Sequence, residues 1–312
     1  MTDYKNLKLI ATSSPHIRAA ENTRSIMLDV IVAMLPALAW AVWMFGFKAL
    51  TLTAVSVAAC MFWEWLYRNL MHKPQSVGDL SAVVTGMLLA FVSPVTTPYW
   101  MIIIGAFFAI VVVKCLFGGL GHNFANPAIT GRVFMLLCFS SVAGGAMPRM
   151  LELQTSATPL ELLPAGTVDL PSLLDMFLGL RGGAVGEGCI IALLIGYVYL
   201  VARGVIKWYV PAAFVGVVFV CFAVATGDLV LALYEIMAGG VFIGAIFMAT
   251  DYVTTPITNL GKIVFAVGCG LITFIIRYFC AYPEGVSFSI LAMNILTPMI
   301  ERFTARKPLG GG

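Results

Sequence analysis

The run Leu153-Gln154-Thr155-Ser156-Ala157-Thr158-Pro159-Leu160 is a polar island in an apolar chain, and its residue types suit covalent chemistry better than packing. Thr155, Ser156 and Ala157 are small, so a transferring enzyme can bring a nucleotide phosphate against the Thr158 hydroxyl. Pro159 holds Thr158 extended and out of a helix. A hydroxyl presented in this way can form a phosphoester. An ordinary surface turn rich in Ser, Thr and Pro has the same composition, and these residues alone leave both readings open.

What must position this island is a membrane protein. Hydrophobic residues make up 61% of the chain and charged ones 11%, and the mean hydropathy is +0.98. These values exclude an ordinary soluble domain. Apolar runs near the length a bilayer requires begin at Ile26 and end at Phe303, leaving room for about ten spans and no soluble catalytic domain. The expected fold is all-α and polytopic. Its parts are a cytoplasmic segment 1–25, a first five-span repeat 26–145, a loop 146–185 that holds Thr158, a second five-span repeat 186–303 and a tail 304–312. Two spans look short, Leu80–Ser93 and Thr130–Gly145, and the first of these is bounded by Asp79, Pro94 and Pro98, which suits a half-depth or broken helix.

Charge sets the orientation. With the N-terminus inside, all 18 Lys and Arg residues fall on the cytoplasmic side except Lys48, Arg149, Arg181 and Arg277. Both termini are then cytoplasmic and the Thr158 loop is extracytoplasmic. The tetrapeptide Val95-Thr96-Thr97-Pro98 recurs as Val253-Thr254-Thr255-Pro256, a spacing that superposes the first five spans on the last five. An odd number of spans per half makes the repeat inverted, about an axis in the membrane plane. Ten extra residues after the second copy would place Asn294 opposite Asn126. A five-plus-five arrangement with short third and eighth spans resembles the urea transporters.

Polar residues cluster around prolines at membrane depth: Asn123, Asn126, Thr130, Thr254, Thr255 and, further on, Asn294. They suit either hydrogen bonds between kinked helices or the rim of a polar ligand. Glu64, Lys114 and Arg132 read as cytoplasmic-end residues, and Glu235 and Arg277 as a pair at the outer end. The sequence shows no carboxylate relay near the midplane. The seven cysteines lie singly in apolar segments and the three histidines are scattered, which points to no metal site in this chain. Nothing in the composition suggests nucleic acid.

The loop resembles the flavinylation site of the NqrB/RnfD family, whose pattern is Asp, two residues, Ser or Thr, Gly or Ser, Ala, Thr. Here Glu152 stands in place of the Asp and Ser156 at the Gly or Ser position. The likeness extends to Ser14-Pro15-His16-Ile17-Arg18, to Gly121-His122-Asn123 with Asn126-Pro127-Ala128, to Phe247-Met248-Ala249-Thr250-Asp251 with Thr254-Thr255-Pro256, and to Met293-Asn294. It implies FMN joined through its phosphate to Thr158 by a flavin transferase, with Thr155, Ser156, Ala157 and Pro159 shaping access. It also leaves room for riboflavin as a second flavin, near Asn126, Thr130, Thr254, Thr255 and Asn294. The implied role is an electron-relay subunit, not catalytic alone, of an ion-translocating ferredoxin:NAD complex in the bacterial inner membrane. Its partners would be iron–sulfur subunits, a second FMN subunit and an NADH-binding subunit. An Nqr-type subunit reducing quinone is the alternative within the family, and a urea-transporter-like channel is the alternative outside it.

The charge bias makes a topological prediction. A cysteine placed at Ser172 should be labelled by an impermeant reagent applied to intact cells, and one at Lys307 should not; the reverse pattern would invert the topology.

Overall fold

A computed structural model describes residues 22–139, 147–149, 152–156, 171–280 and 284–305. The described residues are almost entirely helical, as the apolar runs require. In the first half lie α1 (Thr23–Phe45), α2 (Phe47–Leu70), α3 (Ser81–Phe91), α4 (Tyr99–Cys115, whose last turns are π-helical) and α5 (Pro127–Cys138). A small antiparallel hairpin follows, β1 (Met147–Arg149) with β2 (Glu152–Ser156), and then α6 (Leu173–Leu178). The second half holds α7 (Ile190–Ala202), α8 (Tyr209–Thr226), α9 (Leu229–Met237), α10 (Val241–Met248), α11 (Asn259–Phe279) and α12 (Val286–Thr304). By length and composition α1, α2, α8 and α11 can each cross a bilayer, and α9 with α10 is long enough together but bent by 65°, as in a broken span or a re-entrant loop. The chain is an all-α polytopic membrane protein.

Local chemistry fixes the helix ends. Asn22 and Ser25 cap α1 reciprocally, and Thr258 caps α11 by accepting from Gly261 N at 3.0 Å. Asn126 accepts from Ala128 N at 3.0 Å, and Pro127 supplies the preset first residue of α5. The short third span is present as α3; its 11 residues reach only about 16 Å, roughly half a hydrocarbon core. The eighth span, expected over Leu229–Ala249, is divided into α9 and α10 by a break at Ala238–Gly240, where Gly239 takes a φ of 65°. A glycine pair tolerates that conformation where other residues would not.

Three pairs of corresponding helices run past each other in opposite directions. On α1 and α7, Asp29 meets Arg203 at 3.2 Å, Ala33 packs on Gly196, and Trp40 lies beside Gly188, so rising numbers meet falling ones. For α5 and α12, Asn126 meets Asn294 while Arg132 meets Glu284 at 3.1 Å. The start of α3 shares a cavity with Thr250, just past α10, whereas its end, Phe91, and Ile243 of α10 close together over Gly186. This is the geometry an inverted repeat generates. The register differs in one respect: helix starts stay evenly matched (Tyr99 with Asn259, Pro127 with Val286), so ten added residues are not needed. Asn294 is a contact of Asn126, not its counterpart.

Close helix approach depends on glycine at Gly196 of α7, where a Cβ would overlap the Ala33 carbonyl oxygen of α1, and at Gly86 of α3. A Cβ on Gly86 of α3 would sit 2.6 Å from Val57 Cα of α2, and Ser56 Oγ already donates to the Gly86 carbonyl at 2.7 Å. Gly86→Leu is therefore expected to destabilise the fold by about 1–3 kcal/mol or more. A melting curve of the purified variant that overlays the wild type would contradict this packing.

Candidate functional site

The stretch that resembles a flavinylation motif enters on β2. Thr155 and Ser156 lie on this strand, with Thr155 opposite Pro148 and Ser156 opposite Met147, so the backbone approaches Ala157 extended. Ala157, Thr158 and Pro159 lie outside the described residues. Beyond them the loop is anchored on the broken span. Tyr234 Oη of α9 donates to the Pro171 carbonyl at 2.9 Å, and Met176 of α6 packs with Tyr234 and Ala238. Arg181 donates to the Glu187 carbonyl at 3.2 Å and to the Met237 carbonyl. Burial pulls its guanidinium down to about 10, against the opposing pull of Glu187, so it stays charged at neutral pH.

The second group of candidates meets at the antiparallel crossing. With its amide turned to match its neighbours, Asn294 donates to the Thr254 carbonyl at 3.2 Å and accepts from Asn126 N at 3.1 Å. Thr297 Oγ1 reaches the same Thr254 carbonyl at 2.9 Å, and Thr130 Oγ1 donates to the Asn126 carbonyl at 2.9 Å. Thr254 Oγ1 donates to the Asp251 carboxylate at 3.2 Å and Thr255 Oγ1 to the Asp251 carbonyl at 2.6 Å. Asn126, Thr254 and Asn294 thus come together, and Thr130 and Thr255 tie down the adjoining turns. Each of the five is engaged within the protein, which satisfies backbone that the prolines leave open in a medium without water.

Beside this joint lies a cavity of about 80 Å³, with Lys114, Ser81, Thr85, Asn123, Thr250 and Asp251 among its walls. Asn123 Oδ1 is buried there with no hydrogen-bond partner among the described residues. Such an atom calls for water or a ligand. The cavity is well below the several hundred Å³ that cofactor pockets occupy, and of the five residues only Asn126 lines it, so the group does not fit a flavin as it stands.

One wall is a buried ion pair that sequence reasoning set at a span end. Lys114, 1% exposed, donates to Glu64 Oε2 at 2.8 Å and to Ser81 Oγ at 2.6 Å, joining α4, α2 and α3. The only sequence signal is a single Lys and a single Glu in otherwise apolar runs. The expected pair of Glu235 and Arg277 is present at 3.2 Å, and it has a further function: Arg277 also donates to the Glu235 and Ala238 carbonyls, at 2.6 and 3.1 Å. With Arg181 it caps the carbonyls that the break in the eighth span sets free. Arg132, expected at the cytoplasmic end, pairs instead with Glu284 just before α12, because α5 starts deep in the protein and carries Arg132 toward the opposite end.

The family model described as "NQR2, RnfD, RnfE family" matches residues 10–310. The chain belongs to this family. It is 47% identical over 308 residues, 97% of the chain and 96% of the relative, to the D subunit of the Na(+)-translocating ferredoxin:NAD(+) oxidoreductase complex of Acetobacterium woodii. It is 38% identical, over 96% of the chain and 95% of the relative, to the D subunit of the proton-translocating ferredoxin:NAD(+) oxidoreductase complex of Clostridium ljungdahlii. It is 33% identical to the D subunit of the ion-translocating oxidoreductase complex of Actinobacillus succinogenes, covering 96% of the chain and 98% of that protein.

The Lys114–Glu64 pair makes a separable prediction. Lys114→Met takes the nearer cation from buried Glu64, leaving it Arg68 at 3.6 Å and the Ser76 hydroxyl, and is expected to cost about 3 kcal/mol, and Lys114→Met/Glu64→Gln should recover much of that loss. Equal destabilisation in the single and double variants, measured by thermal unfolding in detergent, would contradict a compensated buried pair.

Proposed function

We propose that the chain is the membrane electron-carrier subunit of an Rnf-type complex, with FMN held as a phosphoester on Thr158. The observation that carries this reading is the coincidence of a full-length family match with the Thr155-Ser156-Ala157-Thr158 sequence in the longest hydrophilic connection. Relatives named as Na+- and proton-translocating ferredoxin:NAD+ oxidoreductase subunits favour the Rnf reading over quinone reduction. The complex would couple electron flow from ferredoxin to NAD with ion export. Its iron–sulfur, second-FMN and NADH-binding subunits would be this chain's neighbours in the bacterial inner membrane.

Within such a complex the isoalloxazine supplies the redox chemistry when bound, and the chain supplies retention and position. A non-covalent carrier that binds its two redox states with unequal affinity is lost more readily from one of them, whereas a phosphoester holds in both. The extended backbone of β2 leading toward Ala157 suits a loop that must enter a transferase active site. The anchors at Pro171 and Arg181 then fix the far side of the loop on α9. Riboflavin as a second flavin is a lesser proposal. Its place would be the cavity beside Asn123, which would have to widen, and no step is routed through it.

Thr158→Ala is expected to leave the helical fold intact and to abolish in-gel flavin fluorescence of the denatured protein, because the ester needs the hydroxyl. Fluorescence equal to wild type in this variant would place the flavin elsewhere.

A further inference from the structure

At the end of the helix layer where α1, α8 and α11 begin, a cleft of about 70 Å³ opens between α8 and α11, and Lys207, Lys262 and Tyr252 line it. Among the described residues neither lysine makes an ion pair or a side-chain hydrogen bond. The threonines of the same cleft are occupied, Thr250 donating to the Ile246 carbonyl at 2.5 Å and Thr255 to that of Asp251. Asp251, the neighbouring acid, accepts from Val253 N and Thr254 and faces the central cavity. Burial, and then the nearby Asp251 and Asp79 carboxylates, hold the Tyr252 phenol protonated, up at about 12. Among the described residues the cleft therefore presents two lysines outside any ion pair, and one hydroxyl donor, to a ligand.

One helical turn beyond Lys207, an open groove of about 420 Å³ runs along α8 from Pro211 to Phe219, walled by Leu194, Phe242 and Ile246. Tyr197, also on the groove, donates to the Trp208 carbonyl at 2.8 Å, and Trp208 itself is exposed beside Lys207, as expected of a ring at the membrane–water interface. A Cβ added at Gly216 would meet no atom within 4 Å, so the floor of the groove is open. On a hydrocarbon-facing surface such a groove offers water too few partners to stay wet, and its apolar lining suits an acyl chain.

We infer that this is a binding site for an anionic phospholipid, with the headgroup phosphate on Lys207 and Lys262 and one acyl chain along α8. Charge complementarity selects the occupant. Basic pockets between membrane helices on the cytoplasmic side recur as headgroup sites, and the charge bias of the chain assigns this end to the cytoplasm. The inference does not depend on the flavin.

Thermal unfolding of the delipidated full chain, titrated with phosphatidylglycerol, phosphatidylcholine or inorganic phosphate, tests it. Phosphatidylglycerol should raise the Tm, phosphatidylcholine should do so far more weakly, and inorganic phosphate should have no effect. Lys207→Gln/Lys262→Gln should weaken the apparent affinity for phosphatidylglycerol roughly thirtyfold. Gly216→Leu, which fills the groove without a clash, should also weaken it while keeping the wild-type Tm in detergent alone. The site is overturned if the lysine pair variant titrates like wild type, if the two lipids act equally, or if phosphate alone reproduces the shift. An unchanged affinity in Gly216→Leu would overturn the acyl-chain half.

Discussion

Backbone amides and carbonyls freed inside hydrocarbon must find partners in the protein, and the arrangement of this chain follows from how it meets that demand. Each half contains a broken or half-length third helix. Where α3 ends, the Phe91 and Ser93 carbonyls accept from Gly186 N at 2.8 Å and Val185 N at 3.1 Å, so the start of the second half seals the first break. Where α9 ends, two arginines from different segments take over the freed carbonyls of Glu235, Met237 and Ala238. At the crossing of α5 and α12, Asn294 satisfies one exposed donor and one exposed acceptor at once. Each break is thus closed by a residue from the other half or from the long loop. The halves cannot separate without leaving unpaired groups in lipid.

The same economy governs charge. Lys114 with Glu64, Arg132 with Glu284, and Arg277 with Glu235 are compensated in pairs, each bridging elements distant in sequence. Buried pairs of this kind contribute little net stability but make the loss of one partner costly, so they specify which helices meet. Lys207 and Lys262 depart from this pattern, since they face a cleft with no protein counter-charge among the described residues.

Much of the architecture is legible in composition and periodicity. Apolar run lengths reveal the helices, Asp79 and the Pro94–Pro98 region reveal the short third one, and span-end reasoning finds Glu235 with Arg277. Three features were out of reach. The break in the eighth span depends on a glycine pair that hydropathy counts as neutral. The depth of Arg132 depends on where α5 starts, and that is set by Asn126 capping and by the entering 116–126 loop, not by the length of an apolar run. The Asn126–Asn294 contact joins helices from opposite halves, and identity of residue type suggested symmetry where the structure has a direct bond. As for the candidate sites, motif residues pick out the loop of the proposed flavin, whereas the structure was needed to separate Asn123, whose buried side-chain oxygen has no partner among the described residues, from Asn126, Thr130, Thr254, Thr255 and Asn294, which are hydrogen-bonded within the protein.

The far side of the loop that holds Thr158 is tied at Pro171 and Arg181 to a broken, arginine-capped helix, and this loop is where the proposed flavin would be held. The most direct measurement is peptide mass mapping of the protein purified from cells that contain the flavin transferase. The peptide spanning Thr158 should carry the mass of one FMN less one water, with fragmentation placing it on that threonine. An unmodified peptide, or flavin on any other residue, would contradict the account.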